Sequence, residues 1–150
     1  MKTKAKSKQH VQDMNSSKII GNSNIKSVLL CFVITVVTFF VYSGSFDNDF
    51  VNWDDQVYVE EQPLVLNKEY SKLWKTPVSL NYHPVTMTSL ALQVPDDVKK
   101  LKPAPFIKLN VWIHIINSVL VFVFIFMISR PQWLVAFFTA MIFAMPPMHV

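Results

Sequence analysis

The sequence predicts an all-α polytopic membrane protein with about three transmembrane helices and one large extracytoplasmic loop. Apolar residues form long uncharged blocks at residues 27–42, 109–129 and 131–150. These blocks approach or exceed the ~18 residues that cross a hydrocarbon layer of ~30 Å. Lysines are concentrated before the first block, whereas acidic residues and prolines are concentrated between the first two.

The first segment, residues 1–26, is a lysine-rich tail with six lysines and a single acidic residue, Asp13. An excess of lysine and arginine marks the cytoplasmic side of a membrane protein, so we expect this tail to be cytoplasmic. No aromatic residue is interleaved with the lysines. A solvated tail is therefore expected, and nothing indicates a nucleic-acid partner.

Three spans account for the apolar blocks. Transmembrane helix 1 is predicted over residues 27–43, although its basic flank and the small residues after it also fit a cleaved signal peptide. The long basic segment and the β-branched core favour an uncleaved anchor. Helix 2 is predicted over 106–129, a cytoplasmic turn over 130–132 and helix 3 over 133–150. Because helix 3 stops without a polar tail, we expect this chain to be the N-terminal part of a larger protein.

The segment 44–105 is the predicted extracytoplasmic loop, with nine acidic residues, six lysines and six of the nine prolines. Two stretches have the spacing of one apolar helical face. The first is formed by Leu66, Tyr70, Leu73 and Trp74, and the second by Met87, Leu90, Ala91 and Val94. Such short helices are predicted to lie in the membrane interface. The alternative is that they pack on each other as a small subdomain.

A polar stripe interrupts the second apolar block. Asn110, His114 and Asn117 are spaced i, i+4 and i+7. Polar side chains are costly in lipid, so we expect the stripe to face protein or a water-filled cavity. Hydrogen bonding between helices is the alternative to a role in substrate binding. The predicted topology brings His114, His149 and the loop residue His83 to the same outer side.

The adjacent carboxylates Asp54 and Asp55 are the candidate catalytic pair. Two carboxylates just after a span suit general-base chemistry, and burial beside Trp53 would help one of them to take up a proton. A solvated acidic pair is the alternative. A divalent metal held by the pair is a further option, although the histidine spacings match no compact metal-ligand motif. No GxSxG nucleophile motif is present.

Four segments occur in order: FDNDFVNWDD at 46–55, NYHPVT at 81–86, NVWIHIIN at 110–117 and FAMPPMHV at 143–150. Together they resemble the N-terminal membrane part of tetratricopeptide-repeat-linked O-mannosyltransferase-like proteins, which are glycosyltransferases of the GT-C class. The resemblance covers residues 27–150. It departs at His83, where relatives often have arginine, and at Pro146, where they often have histidine.

The resemblance implies a GT-C-like fold and transfer of a sugar, with mannose as one candidate, from a polyprenyl phosphate to an acceptor hydroxyl of a protein serine or threonine. It makes Asp54 and Asp55 the candidate catalytic residues. The candidates for substrate binding are His83, Asn110, His114 and His149. The implied partners are membrane lipid, the lipid-linked sugar and a protein acceptor. This segment alone is not expected to be active, because later spans and the repeats are missing. A non-catalytic membrane anchor or assembly scaffold is the alternative, and a transporter fragment is a third.

Overall fold

The computed structural model describes residues 25–51, 53–129 and 132–145, and no strand occurs within these ranges. The helices are α1 (residues 25–43), α2 (Pro63–Leu66), α3 (Tyr70–Leu73), α4 (Pro84–Gln93), α5 (Ala104–Ile128) and α6 (Trp133–Ala144). Short 3-10 turns cover Gly44–Asp47 and Val98–Lys100, and a π-helical turn covers Gln56–Glu60. The predicted all-α class is therefore confirmed for the described part of the chain.

Two helices are long and apolar enough to cross a membrane. With its 3-10 turn, α1 runs over Ile25–Asp47 for 23 residues, and α5 has 25 residues. At the usual helical rise they are ~34 Å and ~37 Å long. The third apolar helix, α6, is described over 12 residues only. The rest of the predicted third span, residues 146–150, lies outside the described residues, as does the tail before residue 25.

The chain folds as two compact units, and the first contains α1 up to Val41, α5 from Ile113 and α6. Its core is formed by Ile34, Phe122, Ala136 and Ala140. Alanines recur at every fourth position of α6, at 136, 140 and 144, and each is at most 1% exposed. Small side chains at this spacing make one flat face, which allows neighbouring helices to approach closely.

Two buried hydroxyl groups of the first unit donate hydrogen bonds within their own helices. Thr38 Oγ1 donates to the carbonyl of Ile34 at 2.7 Å, and Ser118 Oγ donates to that of His114 at 2.8 Å. Both residues are at most 1% exposed. Buried polar groups in an apolar layer need such partners, because no water is available to them.

The exterior of the first unit is strongly apolar. Its helices expose large aromatic side chains by 60–71%, at Phe32, Phe40, Phe124 and Phe138. The core of this unit contains small residues as well as Ile34 and Phe122, whereas many of its largest apolar side chains are outside. An exterior made of large apolar side chains is typical of helices that face lipid.

The second unit, Tyr42–Trp112, is a small helical subdomain. The helices α2, α3 and α4 contact one another, and the π-helical turn contacts α2 and α4. Their shared core consists of Val59, Val65, Leu73, Val78, Met87, Ala91, Val94 and Phe106. The loop helices thus pack on each other, which is the second of the two arrangements that the sequence left open.

One predicted helical face is divided in the structure. Leu66 ends α2 and Tyr70 begins α3, because Lys68 between them has a left-handed backbone with φ of 54°. Of the four predicted residues, Leu73 is 1% exposed but Trp74 is 52% exposed. The prediction of a single continuous face over this stretch is therefore wrong.

The second predicted face is present as helix α4. It begins at Pro84, whose missing N–H is not needed at the first helical position. Met87, Ala91 and Val94 are each at most 2% exposed, and Leu90 packs against the same core. This face fixes the position of His83, the residue before the helix.

Candidate functional site

Asp55 is held in place by the backbone before it. Its Oδ2 accepts a hydrogen bond from the N–H of Val51 at 2.8 Å. The neighbouring Phe50 packs its ring against Phe106, with ring centroids 5.8 Å apart, and Phe106 belongs to the core. The half-buried Asp55 carboxylate is therefore anchored next to the core of the second unit.

Asp54 has a different environment. The side chain is exposed, and no described residue donates a hydrogen bond to its carboxylate. Trp53 is 78% exposed, so its ring does not bury the carboxylate. The expectation that Trp53 would desolvate Asp54 is therefore wrong, because both side chains are open to solvent. Both oxygens of Asp54 are available to accept a proton or a ligand group.

Two cavities in the second unit share this acidic pair. Cavity 1, of about 370 Å³, is lined by Ser45, Asn48, Asp49, Val51, Trp53, Asp54, Asp55, Ile107 and Asn110. Cavity 2, of about 310 Å³, is lined by Asp54, Asp55, Tyr58, Val59, His83, Thr86, Met87 and Leu90. Both volumes lie at the low end of the range of about 300–1,000 Å³ found for small-molecule sites.

Cavity 1 is lined by residues that follow α1 and by residues near the start of α5. Ser45 belongs to the 3-10 turn that finishes α1, and Ile107 and Asn110 lie in the first two turns of α5. Three carboxylates line this cavity, because Asp49 joins the acidic pair. Such a lining is suited to a group that carries or develops positive charge.

Cavity 2 combines a polar rim with an apolar floor. The rings of Tyr58 and His83 meet nearly edge to face with centroids 5.2 Å apart. Asn81 Nδ2 donates to the hydroxyl of Tyr58 at 3.4 Å. Tyr58 therefore positions the half-buried His83, which was predicted to bind substrate. Tyr58 itself was missed, although its place three residues after Asp55 in a helical turn could have revealed it.

His114 lies in the first unit, where it joins α5 to α6. It is 3% exposed, and its Nε2 lies 3.0 Å from the carbonyl oxygen of Ala144. Because a carbonyl can only accept, Nε2 must carry the hydrogen. Ala144 is the last residue of α6 as the structure describes it. His114 therefore hydrogen-bonds α5 to the end of α6, which is the helix–helix bonding that the sequence left open. His149 lies outside the described residues.

The other two members of the polar stripe, Asn110 and Asn117, are not buried between helices. Asn117 is exposed, and Asn110 is exposed beside cavity 1. The buried stripe of α5 runs instead through Val111, Ile115, Ser118 and Phe122. Among the described residues, the expectation that the whole stripe faces protein is met by His114 alone, because the buried stripe of α5 runs beside the polar stripe and not along it.

The residues described here contain no group of three histidine, cysteine, aspartate or glutamate side chains that could hold a metal ion. The suggested divalent metal therefore depends on Asp54 and Asp55 alone. Magnesium is often held by one or two carboxylates together with substrate phosphates. Metal binding by the pair stays a prediction.

No known protein family, curated protein or solved structure matches this chain. The resemblance to O-mannosyltransferase-like proteins therefore stays a prediction.

Proposed function

We propose that this chain is the N-terminal membrane part of a glycosyltransferase that moves a sugar from a polyprenyl phosphate to an acceptor hydroxyl. The observation that carries the proposal is that Asp54 and Asp55 line two cavities at once. A transferase must bring two substrates to one reacting centre, and holding them in contact there supplies much of the rate enhancement. The shared carboxylates are suited to be that centre.

The membrane supports the choice of donor. Helices α1 and α5 are long and apolar enough to anchor the chain in a bilayer. Cavity 1 is lined by residues from the end of α1 and the start of α5. A donor whose lipid tail stays in the hydrocarbon would carry its head group to this level. We therefore assign the sugar of the donor to cavity 1.

Lys108 is the residue that we assign to the donor phosphate. It is exposed and lies on α5 between Ile107 and Asn110, which both line cavity 1. Its Nζ is 5.8 Å from the ring centroid of Phe46. An ammonium group binds phosphate as a point charge. It would balance the acidic lining of cavity 1.

In the reaction, the acceptor hydroxyl lies in cavity 2, near His83 and Thr86. Its oxygen forms a bond to C1 of the sugar, while the bond from C1 to the phosphate oxygen breaks. Asp54 takes the hydroxyl proton, and polyprenyl phosphate leaves with the bonding electrons. Positive charge that develops at C1 is stabilised by the carboxylates. Asp55 stays bonded to the N–H of Val51 and acts mainly through its charge.

The direct test is Asp54→Asn in the protein expressed from its complete reading frame. It would be reconstituted with polyprenyl-phosphate mannose and a serine- and threonine-containing peptide. The amide keeps the shape of the side chain but cannot take up a proton, so we expect kcat to fall by ~10²–10⁴-fold. Asp55→Asn should cost less, because it removes a stabilising charge but leaves the proton acceptor Asp54, and its amide oxygen can still accept from Val51. Glu60→Gln is the matched control, since Glu60 is exposed and lines neither cavity.

The phosphate assignment has its own test. Lys108→Gln should raise the KM for the donor, whereas Lys102→Gln, at another exposed lysine, should not. Transfer at the wild-type rate by both amide variants, Asp54→Asn and Asp55→Asn, would refute the acidic-pair mechanism. It would favour a non-catalytic anchor or scaffold instead.

The proposed orientation is that the tail is cytoplasmic and the second unit is extracytoplasmic. Single cysteines at Ser7 and Ser79, with Cys31 replaced by serine, would be treated with a membrane-impermeant maleimide in intact cells. We expect labelling at position 79 alone, because lysine excess marks the cytoplasmic side. Labelling at position 7 without position 79 would reverse the topology.

A further inference from the structure

Helix α4 has a second apolar face, which lies outside the core. Val85 and Leu92 are 69% and 68% exposed, and their i, i+7 spacing puts them on one side of the helix together with Thr88. The indole N–H of Trp74 donates to Thr88 Oγ1 at 3.1 Å, so the Trp74 side chain reaches this same side. Trp74 is still 52% exposed. An exposed apolar surface of this kind usually indicates a binding partner or a membrane.

A tight turn near α4 exposes a further apolar side chain. The backbone groups of Val78 and Asn81 form two mutual hydrogen bonds of 2.9 Å. Between them, Ser79 and Leu80 have left-handed φ angles of 50° and 66°. This conformation is uncommon for leucine and tends to persist where the residue has a role. Leu80 is 100% exposed, so the turn holds a leucine entirely away from the core.

Tyr82 connects the turn to the face of α4. Its hydroxyl donates to the carbonyl oxygen of Trp74 at 2.8 Å, and its side chain is 62% exposed. Lys75, next to Trp74, is also exposed. We call this region the outer surface; it comprises Trp74, Leu80, Tyr82, Val85 and Leu92.

We propose that the outer surface lies in the headgroup region of a lipid bilayer. Tryptophan and tyrosine are enriched at that depth, and lysine at its edge is attracted to anionic lipids. The segment that carries the surface is joined at both ends to α1 and α5, the helices that are long enough to span. This tethering keeps a bilayer at high effective concentration. The inference rests on the membrane-spanning part of the proposed function and is independent of sugar transfer.

Spin labels can measure the depth of the outer surface. Leu80→Cys, Val85→Cys and Leu92→Cys would be made singly with Cys31 replaced by serine, labelled with a nitroxide and reconstituted into phosphatidylcholine and phosphatidylglycerol vesicles. We expect oxygen, which concentrates in lipid, to relax these labels more strongly than a water-soluble nickel chelate does. Glu60→Cys, an exposed site outside the surface, should show the opposite order.

A label at Leu120, which is 57% exposed on α5, separates this inference from the proposed function. Stronger relaxation by the nickel chelate at all three outer-surface sites, with a lipid signal at Leu120, would overturn the interface alone. A water signal at Leu120 as well would overturn the membrane-spanning proposal too. Immobilised outer-surface labels that neither reagent reaches would assign the surface to a protein contact, against our inference.

Discussion

Replacing His114 by leucine should destabilise the first unit by a measurable amount. The His114 ring is 3% exposed, and its Nε2 donates to the carbonyl oxygen of Ala144 at 3.0 Å. The ring also packs against Phe143, with centroids 5.5 Å apart. Leucine keeps apolar contact but removes the donor. The carbonyl at the end of α6 then has no partner from α5.

The size of the effect follows from that lost hydrogen bond. A buried acceptor left without a donor costs about 1–3 kcal/mol, and hydrogen bonds between membrane helices average ~0.6 with a maximum near ~1.7 kcal/mol. We therefore expect His114→Leu to lower the free energy of unfolding by about 1–2 kcal/mol. For a chain of this length that corresponds to a Tm lower by about 2–8 °C. Thermal unfolding in detergent, followed by tryptophan fluorescence, measures the change.

Two further variants decide whether the hydrogen bond is the cause. His114→Gln keeps an N–H donor of similar reach, so it should lose less stability than His114→Leu. Asn117→Leu changes an exposed polar residue on the same helix and should alter the Tm very little. If His114→Leu and Asn117→Leu melt at the same temperature, the stabilising role of the hydrogen bond between His114 and Ala144 is refuted.

Two other predictions concern packing and charge. Ala140 is 0% exposed on the small-residue face of α6, so Ala140→Leu should lower the free energy of unfolding by about 1–3 kcal/mol through overpacking. Phe138→Leu, at a 60% exposed site, should lower it very little. Equal melting temperatures for the two variants would contradict this. The hydrogen bond from Lys68 to Asp96, 2.8 Å long, lowers the pKa of Asp96. A lowered pKa means that the pair stabilises the fold above the ordinary aspartate pKa and that this contribution is lost as the pH falls through the lowered value. Lys68→Met should return the pKa of Asp96 to its ordinary range in a carboxyl carbon-13 NMR titration, and an unchanged titration would contradict the pairing.

The helical class and the α4 core face could be read from the sequence because each depends on local spacing. Uncharged length alone identifies a helix that can span a bilayer. Apolar residues at intervals of three and four, after Pro84, identify one buried face. The division between α2 and α3 was not predicted, because it depends on the single left-handed residue Lys68, which does not alter the apolar spacing.

The candidate site was predicted in part. Asp54, Asp55, His83 and Asn110 were chosen by residue type and topology, and all four line the two cavities. Tyr58, which positions His83, was not chosen. His114 was also predicted to bind substrate, whereas its ring is hydrogen-bonded to the carbonyl of Ala144 in the first unit. Residue type indicates which side chains can do chemistry, but it does not identify their partners.

The sequence by itself determined the helical class, the two long apolar helices and the acidic pair near the end of the first. Only the tertiary structure decided which polar groups are paired and which are open. The hydrogen bond between His114 and Ala144 joins residues 30 positions apart, and the hydrogen bond between Trp74 and Thr88 joins residues 14 positions apart. Local propensity and hydropathy act over a few residues, whereas burial and hydrogen bonding depend on which distant segments meet. Asp54 and Leu80 are exposed because no described segment packs over their side chains.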